Sequence, residues 1–269
     1  MIRLVVAGAC GKMGSRVLAA LRADRGFTVA GATERPDSPQ VGADAGTVSG
    51  GPPLEVKVSG SMEEALKKGA DVAIDFTAPS STVENARACA GRGVALVVGT
   101  TGLSPEANQE LAALGRKIPL LIAPNMSVGV NVLFRLVKDA ARALGSDYEI
   151  EVVELHHRMK RDAPSGTALR LAEVAAEGSG LELAKAFVYQ RHGDVGPRKP
   201  GTIGIQTLRG GDVVGDHTVH FLADGERLEL SHRATSRDNF ARGALRAARF
   251  LVGKPAGLYG MQDVLGFEK

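Results

Sequence analysis

Tryptophan is absent from this chain of 269 residues, and tyrosine and phenylalanine number only 3 and 8. So few rings supply poorly the stacking platforms that hold single-stranded nucleic acid. Charge of one sign is lacking too: 33 lysines and arginines are scattered among 30 acidic residues, and the formal charge is +3. No nucleic-acid partner is expected. The pI of about 8.9 points at most to an anionic small molecule. Cysteine occurs twice, at Cys10 and Cys89, which gives neither a disulfide framework nor metal-ligand spacing. A reducing, cytoplasmic setting without a metal is the expectation. Long hydrophobic runs are missing as well. The longest uncharged stretch, residues 118–134, is shorter than the ~20 apolar residues of a membrane helix and contains Pro119, Pro124, Asn125 and Asn131. The apolar residues 4–10 behind Arg3 are too few for an export signal and read as a buried first strand. No membrane partner is expected.

What the chain does have is 44% hydrophobic residues, with 34 glycines and 12 prolines in no repeating period. That composition suits a globular protein with many tight turns, and the length allows one or two domains at roughly 150 residues each. Up to about Met126, apolar runs at 2–9, 27–33, 71–76, 94–98 and 118–123 alternate with helical patterns near 11–24, 61–69, 80–91 and 104–115. Runs such as DVAIDF and VALVVG are apolar almost throughout, as parallel strands covered on both faces require. Ser61 with Glu64 makes a capping box, and Ser104 precedes a proline at the first helical position. The pattern predicts a βαβ series and an open parallel sheet.

Beyond Val130 the chain reads as helix and then becomes strand-rich. YEIEVVEL, TIGIQTL, DVVGDHTVHFLA and ERLELSH are predicted strands, Asp224-Gly225 is a hairpin turn, and residues 167–177 form a helix between them. Residues 238–252 return to helical period and are expected to pack on the first domain. The expected division is therefore 1–126 plus 238–269 for one domain and 127–237 for the other.

GACGKMG follows the first apolar run directly and places Gly8, Gly11 and Gly14 at a turn into a helix. Glycines there let the backbone approach a pyrophosphate, whose charge is met by N–H groups and the positive end of the helix. The spacing is not the commonest one, so its context matters more: Glu34 ends the second run twenty residues after Gly14, where a carboxylate accepts ribose hydroxyls. A glycine turn used only for packing is the alternative. Arg35 and Lys12 supply cations for a 2′-phosphate, so NADH and NADPH are both expected as cofactors. VVGTTG and APNMSVGVN fall at the carboxyl ends of the next runs, where open α/β sheets bind ligands, and Asn125 offers an amide to a nicotinamide.

The densest polar constellation is ELHHRMKRDAPSGTA, residues 154–168. His156, His157 and Lys160 offer proton donors, since an imidazole of ordinary pKa about 6.5 can hold and release a proton at neutral pH. Ser165, Gly166 and Thr167 open a helix whose N–H groups can hold a carboxylate. Adjacent histidines on a continuing strand face opposite sides, so both serve one site only if the strand ends there. His217 and His220 likewise point to opposite faces, and with His192 and His232 they complete no zinc geometry. A pair of surface histidines without function is the plain alternative.

Taken together, GACGKMG, Glu34-Arg35, DFTAPS, VVGTTG, APNMSVGVN, ELHHRMKRDAPSGTA, PGTIGIQTLRGGDVVGDHTV and SRDNFARGALRAARFL resemble the dihydrodipicolinate reductase family over nearly the whole chain. HHxxKxDxPSGTA is the most specific element. Lys12 stands where that family often has arginine, and Cys10 where a small residue is usual. The resemblance implies an α/β fold: an N-terminal Rossmann-like parallel-sheet domain and a smaller α+β domain with a mixed sheet for substrate and oligomerisation. It implies NADH- or NADPH-dependent reduction of a cyclic dicarboxylate, 4-hydroxy-tetrahydrodipicolinate or its dehydrated form, to tetrahydrodipicolinate. That reaction belongs to the diaminopimelate route to lysine and implies a cytoplasmic homotetramer.

By the same resemblance His156 is the proton donor or acceptor, Lys160 a second donor, and His157, Gly166 and Thr167 bind substrate. Gly8, Ala9, Cys10, Gly11, Lys12 and Met13 would contact the cofactor, as would Glu34 and Arg35. Gly99, Thr100 and Thr101 join them, with Ala123, Pro124, Asn125 and Met126. Two other readings stand beside this one. A regulator that binds NADPH without turnover has no use for His156, Lys160 and Thr167 together, and another two-domain amino-acid or semialdehyde dehydrogenase would share the architecture. A short-chain dehydrogenase is disfavoured, because no tyrosine is followed four residues later by lysine.

Overall fold

The computed structural model describes residues 1–267. In chain order its strands begin with β1 (Ile2–Ala7), β2 (Phe27–Thr33), β3 (Val58–Ser59), β4 (Val72–Asp75), β5 (Ala95–Val98) and β6 (Pro119–Ile122). There follow β7 (Glu149–His156), β8 (Phe187–Val188), β9 (Ile203–Arg209), β10 (Gly215–Ala223), β11 (Glu226–Ala234) and β12 (Gly257–Tyr259). The chain forms two compact units. One is Met1–Val128 with Arg237–Lys269, of which residues 268 and 269 lie outside the described residues, and the other is Gly129–Ser236.

In the first unit seven strands pair in parallel in the order β12-β6-β5-β4-β1-β2-β3. Both faces are covered, which is why the central strands are apolar at most positions. Leu4 and Val6 of β1 pack with Val17, Leu18, Ala244 and Ala248 on one side. Val5 and Ala7 pack with Ala86, Cys89 and Leu111 on the other. β1 lies between β2 and β4, so the strand order reverses there and a crevice opens at the carboxyl ends. β1 itself stops at Ala7, short of the end of its apolar run, because Gly8 adopts φ +70° and turns the chain toward the helix Gly14–Leu21. The helix expected near 61–69 is shorter: Ser61 accepts from the Glu64 N–H at 3.3 Å and caps Met62–Ala65, after which Leu66–Lys68 tightens into a 3₁₀ turn.

The second unit holds a mixed sheet in the order β11-β10-β7-β9-β8. β7, β9 and β8 run parallel, and β10 and β11 are antiparallel around the Asp224-Gly225 turn. The helices Val128–Leu144 and Gly166–Ser179 supply Leu133, Val137, Leu171 and Ala175 to a core shared with Ile150, Val152, Val219 and Phe221. The observed architecture is thus a parallel, Rossmann-like sheet and a mixed α+β unit, as expected.

Candidate active site

β1, β2 and β4 end side by side, and the loops leaving them enclose a cavity of about 390 Å³ within the first unit. Gly8 and Gly11 line it with Glu34, Arg35, Phe76 and Thr77. Glu34 is held against the glycine turn: its Oε1 accepts from the Cys10 N–H at 3.1 Å and its Oε2 from the Arg35 N–H at 3.2 Å. The Ala9 N–H donates to the Thr33 carbonyl at 2.9 Å, which ties the end of β2 to the same turn. No side chain caps the helix Gly14–Leu21. Its first-turn N–H groups and positive dipole end therefore lack a side-chain partner, as a phosphate-binding helix start requires. A ribose-seeking carboxylate beside such a helix start fits a dinucleotide.

The other residues expected at a cofactor are not among those that line this cavity. Ala9 is buried and Met13 packs on the core, so both present main-chain groups, while Lys12 and Arg35 are exposed. The Arg35 guanidinium stands 3.8 Å from Asp37. Burial, and then Glu34, push the Cys10 thiol up to about 11, so it is no nucleophile at neutral pH. After β5, Gly99 is half-buried and Thr101 exposed, whereas the Thr100 hydroxyl is buried and donates to Asp75 at 3.0 Å. After β6, Ala123 and Met126 are buried and Pro124 is exposed. Asn125 turns its Oδ1 to the Ser127 N–H at 2.9 Å, which shapes that turn.

In the second unit, β7 brings Ile150, Val152, Glu154 and His156 to one buried face. Glu154 is fully buried. Arg209 grips it with both terminal nitrogens, at 2.8 and 3.0 Å, and the Ser165 N–H adds a bond of 2.9 Å. His156 Nδ1 lies 2.5 Å from Glu154 Oε2. Burial alone would raise the Glu154 pKa; the bonds from His156, Arg209 and Ser165 outweigh it and hold the carboxyl at about 2. The ionised carboxylate accepts a hydrogen bond from Nδ1–H, which leaves Nε2 as the exchanging atom of the imidazole.

β7 ends at His156, so the next residues leave the strand. The His157 N–H donates to the Val213 carbonyl at 2.7 Å, and the Lys160 N–H donates to the His157 carbonyl at 3.1 Å. Lys160 Nζ is 2.9 Å from Asp162 Oδ2. Arg209 donates to the Asp162 carbonyl at 2.6 Å, so one guanidinium holds both the Glu154 carboxylate and the loop bearing Lys160. The Ser165 hydroxyl accepts from the Ala168 N–H at 3.2 Å and caps the helix that Gly166 and Thr167 begin. The cluster joins a braced imidazole, an ammonium group and a helix start, a set able to pass a proton and hold a carboxylate. Among the described residues no group of three or more His, Cys, Asp or Glu side chains could hold a metal ion.

Three residues of this cluster escape a reading of the sequence. Glu154 carries a signal, since it occupies an inward position of an alternating strand where Ile150 and Val152 also point. Arg209 and His217 carry none. They reach the cluster because β9 pairs Arg209 with His156 and β10 pairs His217 with Glu154. The His217 ring meets His156 edge to face at 5.1 Å, and its Nε2 is 3.1 Å from the Ser165 hydroxyl. Burial, then the neighbouring His156, push its pKa down to about 3, so this ring stays neutral.

Residues 2–126 match the family description "Dihydrodipicolinate reductase, N-terminus", and residues 129–265 match "Dihydrodipicolinate reductase, C-terminus". Among curated relatives, the 4-hydroxy-tetrahydrodipicolinate reductase of Anaeromyxobacter dehalogenans strain 2CP-1 is 58% identical over 266 residues, 99% of this chain and 98% of its own. The enzyme of the same name from Myxococcus xanthus is 53% identical over 270 residues, covering 100% and 99% of the two chains. Among solved structures, dipicolinate-bound dihydrodipicolinate reductase from Paenisporosarcina sp. TG-14 shares the fold with a TM-score of 0.78 at 24% identity, over 98% of both chains. An amine dehydrogenase from Mycobacterium smegmatis shares it with a TM-score of 0.61 at 19% identity, over 96% and 94% of the chains.

Proposed function

Because the chain belongs to the dihydrodipicolinate reductase family, we propose that it reduces 4-hydroxy-tetrahydrodipicolinate, or the dehydrated form of that ring, to tetrahydrodipicolinate. It is an oxidoreductase of the diaminopimelate route to lysine and works with a nicotinamide cofactor. The observation that supports the chemistry most directly is the contact between buried Glu154 and His156 at 2.5 Å, which leaves Nε2 free to exchange a proton. The reduced nicotinamide supplies the hydride. His156 holds the proton that the ring then needs, and Glu154 stabilises the imidazolium from behind. Lys160 attracts the substrate carboxylates and stabilises negative charge developing on the ring. Gly166 and Thr167 fix one carboxylate at the helix start, with His157 also on the substrate.

In this reading residues 1–126 with 238–269 form the dinucleotide-binding domain, and residues 127–237 bind substrate and form the oligomer. The main chain from Gly8 to Met13 meets the pyrophosphate, and Glu34 meets the adenine ribose. The loops Gly99, Thr100, Thr101 and Ala123, Pro124, Asn125, Met126 take the nicotinamide end. Glu34 opposes a 2′-phosphate while Arg35 and Lys12 attract it. One charge-assisted contact is worth roughly 1.5 to 3 kcal/mol, so NADH and NADPH should serve within about tenfold of each other.

The sheet of the second unit has helices on one face only, which supports assembly into a tetramer through the other. Light scattering at micromolar concentration should show four copies, and a monomer would count against it. Unpaired Cys10 and Cys89 suit the cytoplasm. The function is tested by mixing the protein with NADH or NADPH and the pathway intermediate made in situ. Nicotinamide absorbance should fall only when both are present. Binding of the dinucleotide without turnover would favour the regulator instead.

A further inference from the structure

We propose that Asp75 is the positioning residue of the nicotinamide end, fixing from behind the loop of residues 99–101 that the cofactor reading above assigns to that ring; this role rests on that reading. Asp75 ends β4 and is wholly buried. Its Oδ1 accepts from the Thr77 N–H at 2.9 Å and from the hydroxyls of Thr77 at 2.7, Thr100 at 3.0 and Thr82 at 3.1 Å. Its Oδ2 accepts from Asn85 Nδ2 at 2.8 Å. The donors come from three separate pieces of chain: the turn after β4, the helix Pro79–Gly91 and the loop after β5. Thr100 and Thr82 also bond each other at 2.8 Å.

This arrangement sets more than local packing. A Cβ on Gly99 would come within 2.1 Å of the Phe76 ring, and one on Gly8 within 2.7 Å of the Phe76 carbonyl oxygen. The residue next to Asp75 is therefore in close contact with the β5 loop on one side and the glycine turn on the other. A buried carboxylate is costly unless every acceptor site is used. Here the donors that satisfy it are the same groups that fix the Gly99 to Thr101 loop relative to the cavity. Loss of the carboxylate frees that loop together with Thr77 and Asn85, which line the Glu34 cavity, whereas loss of the Thr82 hydroxyl alone leaves the bonds of Thr77 and Asn85 to Asp75 in place.

The test compares two probes on the purified full chain by titration calorimetry: NADH, and ADP-ribose, which has the same adenosine and pyrophosphate but no nicotinamide. Asp75→Asn removes the charge and one of the two acceptor oxygens. Thr82→Val, outside the residues assigned to the cofactor, weakens the network without cutting it, and thermal melting checks that both variants fold. Thr82→Val should raise the NADH dissociation constant roughly fivefold to tenfold, the cost of one lost hydrogen bond, and Asp75→Asn should raise it further. ADP-ribose affinity should change by less than about twofold in Thr82→Val, since that change spares the groups around Glu34. Equal losses for both probes, or no loss for either, would overturn the positioning role, and where Asp75→Asn fails to fold Thr82→Val decides. A wild-type protein that binds NADH no more tightly than ADP-ribose would instead overturn the nicotinamide assignment of the loop.

Discussion

Replacing Glu154 with glutamine keeps the volume and removes a charge and one acceptor oxygen. The new amide must turn its NH₂ toward donors whichever way it lies. Toward His156 and Arg209 Nη1, it donates to the imidazole Nδ1, so the neutral ring carries its hydrogen on Nε2 and has no carboxylate behind it when protonated. Toward Ser165 and Arg209 Nη2, the tautomer survives but the counter-charge to the imidazolium is lost. In both cases kcat should fall by about 10² to 10⁴, or about 3 to 5 kcal/mol of transition-state stabilisation. NADH affinity should be unchanged.

Stability should drop as well. Arg209 keeps one oxygen but loses its counter-charge, and because its side chain is 20% exposed the loss belongs at or below the lower end of the ~3 to 5 kcal/mol range for breaking a buried pair. The Glu154 pKa of about 2 lies below its ordinary 4.5, so its stabilisation is complete above about pH 4.5 and disappears as pH falls toward about 2. Glu154→Gln should lose that acid dependence. Steady-state kinetics across pH and urea unfolding at several pH values read both effects. A variant whose kcat stays within about threefold of the parent, with the same pH profile, would show that Glu154 does not brace the proton donor.

His156→Ala and Lys160→Ala should each lower kcat by about 10² to 10⁴ with NADH affinity preserved, and Thr167→Val should chiefly raise KM for the dicarboxylate, all by steady-state kinetics. Arg35→Ala should weaken NADPH about tenfold and spare NADH in binding titrations, and equal losses would place Arg35 away from the 2′-phosphate. His217 is held near pKa 3, below its ordinary 6.5, so between those values only the unfolded chain takes up its proton and stability falls with acid. His217→Gln should flatten that slope between about pH 6.5 and pH 4, measured as urea midpoints.

The parallel sheet is legible because its central strands are buried on both faces and show it as apolar runs with few interruptions, as in DVAIDF and VALVVG. The hairpin is legible from Asp224-Gly225, since Gly225 takes φ +84° there. β3 and β12 are two and three residues long, too short to show a period, and exist only because β2 and β6 offer an edge to pair with. The same limit governs the candidate site. His156, His157, Lys160, Gly166 and Thr167 stand in one segment and can be seen together. Arg209 and His217 enter through strand register across fifty or more positions, as the spacing of Arg209 from Glu154 illustrates. Thr100 shows the converse: a residue in a glycine-flanked loop that looks like a ligand contact has its hydroxyl turned inward to Asp75.

One consequence of the first unit's core concerns how the chain is made. Ala241, Ala244, Ala248 and Leu251 share a core with Leu4, Val17 and Ile74, and β12 adds to the sheet later still. Synthesis must pass Leu251 before that core can close, and until then the helix Gly14–Leu21 covers only part of that side of the nascent sheet. Among the described residues the second core draws on those between Val130 and Leu230, so it can consolidate while the other waits. Premature termination just before Asp238 therefore spares the later-made core and leaves the earlier-made one open and prone to aggregate.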